Sequence, residues 1–159
     1  MKVLLILKPD CLEKGLENEV KNILTSRGYK IVTESRIEKA SEEMLEKHYN
    51  MLGKLRERLT EAKGEEFANK VISSTFTYMS RGPIIPFVIE KDGDDVTVVE
   101  ELRNNIIGKT RPWEAAKGTI RELYGNKSPE HDPIENIIHC SGSAEEARSE
   151  VALWFPELA

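Results

Sequence analysis

The chain reads as an α/β (α+β) protein: a ferredoxin-like βαββαβ sandwich, with a four-stranded antiparallel sheet covered by helices. Three observations predict it. Four short apolar or β-branched runs, residues 3–7, 30–37, 84–89 and 135–139, have the length and residue type of strands. Stretches with apolar residues at helical spacing separate them. The order strand, helix, strand, helices, strand, helix, strand is that of a split βαβ unit. An extended helical insertion between Tyr49 and Gly82 interrupts that order, and a last helix follows the fourth strand. Helices are expected over one face of the sheet. The 159 residues suffice for one domain with a real core, expected over residues 1–159.

Each element has its own signal. Residues 3–7 are continuously apolar, a buried strand. Leu16, Val20, Ile23 and Leu24 share a helix face, and Gly28 is a natural stop. Residues 30–37 alternate weakly. Ser41 can cap a helix carrying Leu45, Tyr49 and Leu52. Gly53 breaks it, Leu55, Leu59 and Ala62 continue helically, and Gly64 breaks again before Phe67, Val71 and Ile72. Gly82-Pro83 leads into the strand at 84–89. Residues 92–95 form a turn and helix cap, and Val96, Val99, Leu102 and Ile106 mark a helix ending by Gly108. Residues 109–132 are polar with little periodicity, as functional loops are. Ser143-Ala144-Glu145-Glu146 is a capping box, with Ala147, Val151 and Trp154 as the stripe behind it.

Composition narrows the function. Charged residues make up 32% and hydrophobic ones 39%, and the net charge is −5. An acidic chain offers no bulk attraction to nucleic acid, although a few local cations can still hold a small anion. The apolar run at the N-terminus stops at Lys8-Pro9, short of the roughly 7–15 residues of a secretory core or the about 20 of a spanning helix. A cytoplasmic protein without membrane partners is expected. Cys11 and Cys140 fit no metal spacing and no disulfide framework.

The most telling residue is His139, in the run Asn136-Ile137-Ile138-His139-Cys140-Ser141-Gly142-Ser143. A strand delivers its imidazole to a polar turn beside a helix N-terminus, where it can serve as nucleophile, acid–base or ligand. Cys140 as the nucleophile is disfavoured, because sequence neighbours on a strand point apart. By the same rule Asn136 and His139, three apart, fall on opposite faces of a regular strand. If both serve one site, the backbone must bulge or turn between them. His48 reads as a partly buried packing residue and His131 as solvated loop. No P-loop and no protein-kinase signature set is present.

Taken in order, these motifs resemble the nucleoside diphosphate kinase family. Lys8-Pro9-Asp10 is similar to its lysine-proline-aspartate opening, and Lys47-His48-Tyr49 to its site tyrosine on a helix. Gly82-Pro83 resembles its glycine-proline entry to a strand. Gly108-Lys109-Thr110-Arg111-Pro112 resembles its glycine-x-threonine-x-proline turn, and Gly118-Thr119-Ile120-Arg121 its glycine-threonine-isoleucine-arginine motif. Residues 136–143 resemble its active-histidine signature, and Glu150 stands where the family has its histidine-orienting glutamate. The resemblance implies ping-pong transfer of a terminal phosphate between nucleoside tri- and diphosphates, through phospho-His139. It implies Lys8, Tyr49, Arg103, Thr110, Arg121 and Asn136 as nucleotide-binding residues, with Glu150 and Ser141 orienting the imidazole. It implies Mg2+ carried mainly by the nucleotide phosphates, with no dedicated protein cage, and a homo-oligomer, tetramer or hexamer.

The residues suit this chemistry on their own terms. A polyphosphate needs cations and donors around developing charge, which Lys8, Arg121 and Thr110 can supply. Tyr49 offers a phenolic hydroxyl. A carboxylate on one ring nitrogen fixes the tautomer while the other attacks.

The chain also departs from the family pattern. Cys11 replaces a glycine after Lys8-Pro9-Asp10. Cys140-Ser141-Gly142-Ser143 replaces glycine-serine-aspartate-serine, and Glu122-Leu123-Tyr124 replaces glycine-aspartate-phenylalanine. Asn104 stands where an arginine is expected, and Arg103 can serve if the helix carries a one-residue insertion. The arginine-proline-phenylalanine-phenylalanine stretch that supplies the base-stacking aromatic is missing after Tyr49. A second reading is therefore a catalytically weakened nucleotide-binding or scaffold protein of the same fold. An RNA-binding sheet is disfavoured, since the strands carry Ile and Val rather than aromatics.

Overall fold

Residues 3–7 are entirely buried, because both faces of the strand they form are covered. The structure, a computed structural model, describes residues 1–50 and 55–158. That strand, β1 (Lys2–Leu7), has β3 (Ile85–Glu90) on one side and β4 (Ile138–Cys140) on the other. The edge strand β2 (Lys30–Glu34) pairs with β3, so the order is β2-β3-β1-β4, and every pair is antiparallel.

Helices cover both faces of this sheet, not the one face expected. On one side Val3, Leu5 and Leu7 pack with Val20 and Leu24 of α2 (Glu17–Ser26) and with Val98 and Val99 of α6 (Asp95–Glu101). On the other, Leu4 and Ile6 pack with Leu45 of α3 (Glu42–Tyr49), Met79 of α5 (Glu65–Ser80), and Val151 and Trp154 of α8 (Ala144–Trp154). The insertion and the last helix thus supply the second layer. An unbroken apolar run, not an alternating one, is the sequence mark of a strand buried twice.

The insertion is a helical hairpin, α4 (Leu55–Lys63) against α5, with Gly64 at φ 90° between them. The Leu52 position and the Gly53 break expected before it lie outside the described residues. Arg81, just past α5, grips Glu13 at 2.8 Å and Glu135 at 2.8 Å. It thereby ties α1 (Pro9–Glu13) to the approach to β4.

Three local features set up the site. After α6 the helix continues as one π-helical turn, Leu102–Ile107, ending at Gly108 with φ 97°. A π-turn is an α-helix with one residue inserted, the insertion that Arg103 required. The polar segment 109–132 contains a 3₁₀ turn, Pro112–Glu114, and a short helix, α7 (Ile120–Tyr124), capped by the Thr119 hydroxyl. Neither spans two turns, so periodicity could not reveal them. Finally, β4 starts only at Ile138. Ile137 has φ 76°, a conformation that a β-branched residue adopts only when its surroundings impose it. They do so here: the Ile137 side chain is fully buried, and its N–H donates to Asp10 Oδ2 at 3.1 Å.

Candidate active site

The strand ends and loops meet in a cleft of about 280 Å³. Its walls include Lys8, Tyr49, Arg103, Thr110, Arg121, Asn136, His139 and Glu150, all expected from sequence. Ser141 lies behind that wall. A larger groove, about 700 Å³, runs between α3 and α5 and contains none of these residues.

The turn at Ile137 answers the geometric question posed by Asn136 and His139. Reversing φ at one residue swings Asn136 back to the face that His139 occupies. Asn136 Oδ1 accepts from Lys8 Nζ at 2.7 Å, and its Nδ2 donates to the Thr110 carbonyl at 2.9 Å. Asp10, buried in α1, holds this turn. It accepts from Ile137 N–H and, at 2.6 Å, from the Tyr78 hydroxyl.

His139 sits on β4 with Nε2 2.7 Å from Glu150 Oε1. The Ser141 hydroxyl donates to the same oxygen at 2.8 Å. Burial alone would raise the Glu150 carboxyl. The charge and hydrogen bond of His139, with that of Ser141, outweigh it and hold Glu150 below its ordinary value. An ionised Glu150 accepts, so Nε2 carries the proton. Among the described residues, no hydrogen bond engages Nδ1.

His48 belongs to the site as well. Its ring packs edge-on against His139, centroids 4.5 Å apart, and Trp154 Nε1 donates to His48 Nδ1 at 3.1 Å. Burial, with the neighbouring His139, pushes its pKa down to about 3, so it stays neutral. Nothing in the sequence spacing separated it from an ordinary packing histidine. Leu55, Arg58, Cys140 and Glu146 also reach the cleft. Cys140 is no nucleophile, since burial raises its thiol to about 12.

The two cleft arginines Arg103 and Arg121 are held by backbone carbonyls. Arg121, buried, donates to the carbonyls of Gly108 at 3.1 Å and Ile138 at 2.7 Å, which locks the 108 turn to β4. Its Nε has no hydrogen-bond partner among the described residues. Burial lowers it to about 10. Lys8 is driven further, to about 7, by burial and by Arg121, with Asp10 opposing. Arg103 donates to the Gly142 carbonyl at 2.9 Å. Tyr49 is raised by burial and by Glu150, so its hydroxyl remains protonated. The cleft thus sets Lys8, Arg58, Arg103 and Arg121 against the two carboxylates of Glu146 and Glu150, an excess suited to a polyanion.

The chain matches the family model described as nucleoside diphosphate kinase over residues 2–159. A nucleoside diphosphate kinase from Streptococcus pneumoniae is 33% identical over 150 residues, covering 94% of this chain and 96% of the relative. One from Exiguobacterium sibiricum is 31% identical over 151 residues, 95% and 91% of the two chains. Among solved structures, an NDP kinase from Pyrobaculum aerophilum is 30% identical with a TM-score of 0.78, over 97% of this chain and 94% of that one. A transition-state mimic of the Borrelia burgdorferi nucleoside diphosphate kinase, with bound vanadate and ADP, is 28% identical. Its TM-score is 0.79, over 98% of this chain and 86% of that one. The matched span takes in every motif from Lys8-Pro9-Asp10 to Glu150, and the chain belongs to the nucleoside diphosphate kinase family, a family of phosphotransferases.

Proposed function

We propose that the chain transfers the terminal phosphate of a nucleoside triphosphate to a nucleoside diphosphate through His139. One observation carries this reading. His139 Nε2 is committed to Glu150, so the lone pair of Nδ1 is available at the cleft wall. Nδ1 attacks the terminal phosphorus, the bond from that phosphorus to the bridging oxygen breaks, and the nucleoside diphosphate leaves with the electron pair. The imidazole gains positive charge as it bonds, and ionised Glu150 stabilises it from the far nitrogen. A second nucleoside diphosphate then attacks the same phosphorus with a terminal oxygen and restores neutral His139.

The other residues take roles that their positions suit. Lys8, Arg103 and Arg121 line the cleft and face charge that develops on the phosphoryl oxygens. Lys8, bridged to Asn136, meets the sugar–phosphate end with Thr110. The Tyr49 hydroxyl donates. Ser141 fixes Glu150 from behind. Magnesium would fit this donor set as an ion carried by the phosphates, because among the described residues the cleft has two carboxylates, Glu146 and Glu150, and no closed ring of oxygens. When bound, it supplies charge neutralisation between phosphate oxygens.

We read the protein as a cytoplasmic homo-oligomer, tetramer or hexamer, with no nucleic-acid partner. The acidic balance supports the lack of a nucleic-acid partner, and β2, an edge strand among the described residues, is a surface that a second copy can pair with. No helix among the described residues is long and apolar enough to cross a membrane.

Terminally labelled ATP with magnesium tests the reading. Acid-labile, alkali-stable label on the protein that passes to GDP and is lost in His139→Ala supports it. Nucleotide binding without label favours the scaffold alternative.

A further inference from the structure

The family pattern puts an aspartate at the position of Gly142, and this chain has no side chain there. The space is filled from elsewhere. Glu146, one turn into α8, folds back so that its Oε2 accepts from Gly142 N–H at 2.7 Å. A Cβ built on Gly142 overlaps that same oxygen. Arg103 holds the next peptide, donating to the Gly142 carbonyl at 2.9 Å. The bare position at 142 and the carboxylate of Glu146 therefore form one arrangement. The glycine makes the seat, its N–H aims the carboxylate, and Glu146 lines the cleft with Arg103, Thr110 and His139.

A carboxylate in a phosphate cleft repels a bare polyphosphate. It attracts one that carries a hydrated divalent cation, by accepting from the water shell. We infer that Glu146 is the group through which this chain selects metal-complexed over metal-free nucleotide, doing so from the seat that Gly142 leaves open. The inference rests on the nucleotide reading above. Glu146 touches the hydrated ion, not the phosphorus, so it is a binding and specificity residue.

The test is equilibrium binding of ADP with magnesium and with EDTA, measured by calorimetry on the unmodified chain and on Glu146→Gln. Glutamine keeps an oxygen for Gly142 N–H and removes the charge. The expected result is a fall of about tenfold in the ratio of Mg·ADP to free-ADP affinity, with free ADP bound more tightly, as the loss of one favourable and one repulsive charge contact predicts. A second variant, Gly142→Ala, dislodges the carboxylate by its Cβ and is expected to lower the ratio in the same direction. The double variant Gly142→Asp/Glu146→Ser returns a carboxylate to position 142 and is expected to restore it. An unchanged ratio in Glu146→Gln, or equal weakening of both forms, overturns the inference. An unmodified chain that binds neither form overturns the nucleotide reading itself and this inference with it.

Discussion

Glu150 and His139 share one short contact, 2.7 Å from carboxylate oxygen to Nε2, and the Ser141 hydroxyl anchors the same oxygen at 2.8 Å. The two residues are eleven apart in sequence, one on a strand and one on a helix. Their contact exists only because α8 packs back across β1, with Val151 and Trp154 against Leu4 and Ile6. The histidine is thereby held in one tautomer before any ligand arrives.

Breaking this pair in two ways separates its parts. His139→Ala should abolish the phosphoenzyme, and exchange should fall by at least about 10³-fold, as for loss of other enzymatic nucleophiles. Glu150→Gln keeps the volume but removes the charge. It should slow phosphoenzyme formation by about 10²-fold with little change in nucleotide KM. Rapid-quench measurement of the first turnover reads both.

Lys8 gives a pH signature. In the free protein, burial and Arg121 lower it from 10.5 to about 7. A bound phosphate favours the ammonium form and raises it again. ADP binding should therefore take up about half a proton at pH 7, and uptake should vanish below about pH 6, where Lys8 is already charged. Calorimetry in buffers of different ionisation enthalpy measures this, and Lys8→Met should remove it. The same shift has a stability sign. Between about pH 7 and 10.5 the folded chain binds fewer protons than the unfolded one. This group therefore makes stability rise with pH across that window, and its penalty is full below pH 7.

His48 should behave oppositely to a pH sensor. With its pKa at about 3 it does not titrate between pH 5 and 8. Its stability contribution is present above the unfolded value of 6.5 and is lost as pH falls towards 3, because only the unfolded chain gains the proton early. His48→Leu strands the Trp154 Nε1–H and should cost about 1–3 kcal/mol in urea unfolding. His48→Gln, which can still accept, should cost less.

Ile137 and Ile138 are both fully buried, yet only Ile137 has positive φ. Replacing either by glycine loses the same side chain. Ile137→Gly also releases backbone strain and should be less destabilising than Ile138→Gly by about 1–2 kcal/mol. Equal losses in chemical denaturation would show that the turn is unstrained.

Gly108→Ala should be severe. Its φ is 97°, and a Cβ there meets Thr119 Oγ1 at 2.5 Å. The change should cost more than about 2 kcal/mol and loosen Arg121, whose guanidinium rests on the Gly108 carbonyl. Loss of ADP affinity alongside the fall in midpoint would mark the shared cause.

Much of this is legible in the sequence. The fold class came from period and order, and the family from six motifs in sequence. The demand for a turn between Asn136 and His139 followed from the pleat alone, and the demand for one extra residue beside Arg103 from the motif spacing. Three things were not legible. α7 and the 3₁₀ turn at Pro112–Glu114 are too short to show a period. The unbroken apolar run of β1 is plain in the sequence, but the expectation of helices over one face missed the elements that cover its second face. His48 looked like packing because burial and proximity to His139 are set by α3 docking on α8, through the bond from Trp154.

The sequence by itself determined the strands and most helices, the family and the chemistry that His139 could perform, because these depend on residue type, spacing and order. Only the tertiary structure decided which groups meet. It gave Trp154 to His48, Asp10 to the Ile137 N–H, and Arg121 to the carbonyls of Gly108 and of Ile138 on β4. Those contacts lie between residues that local pattern cannot relate, and they form when helix faces bury their apolar stripes on both sides of one sheet.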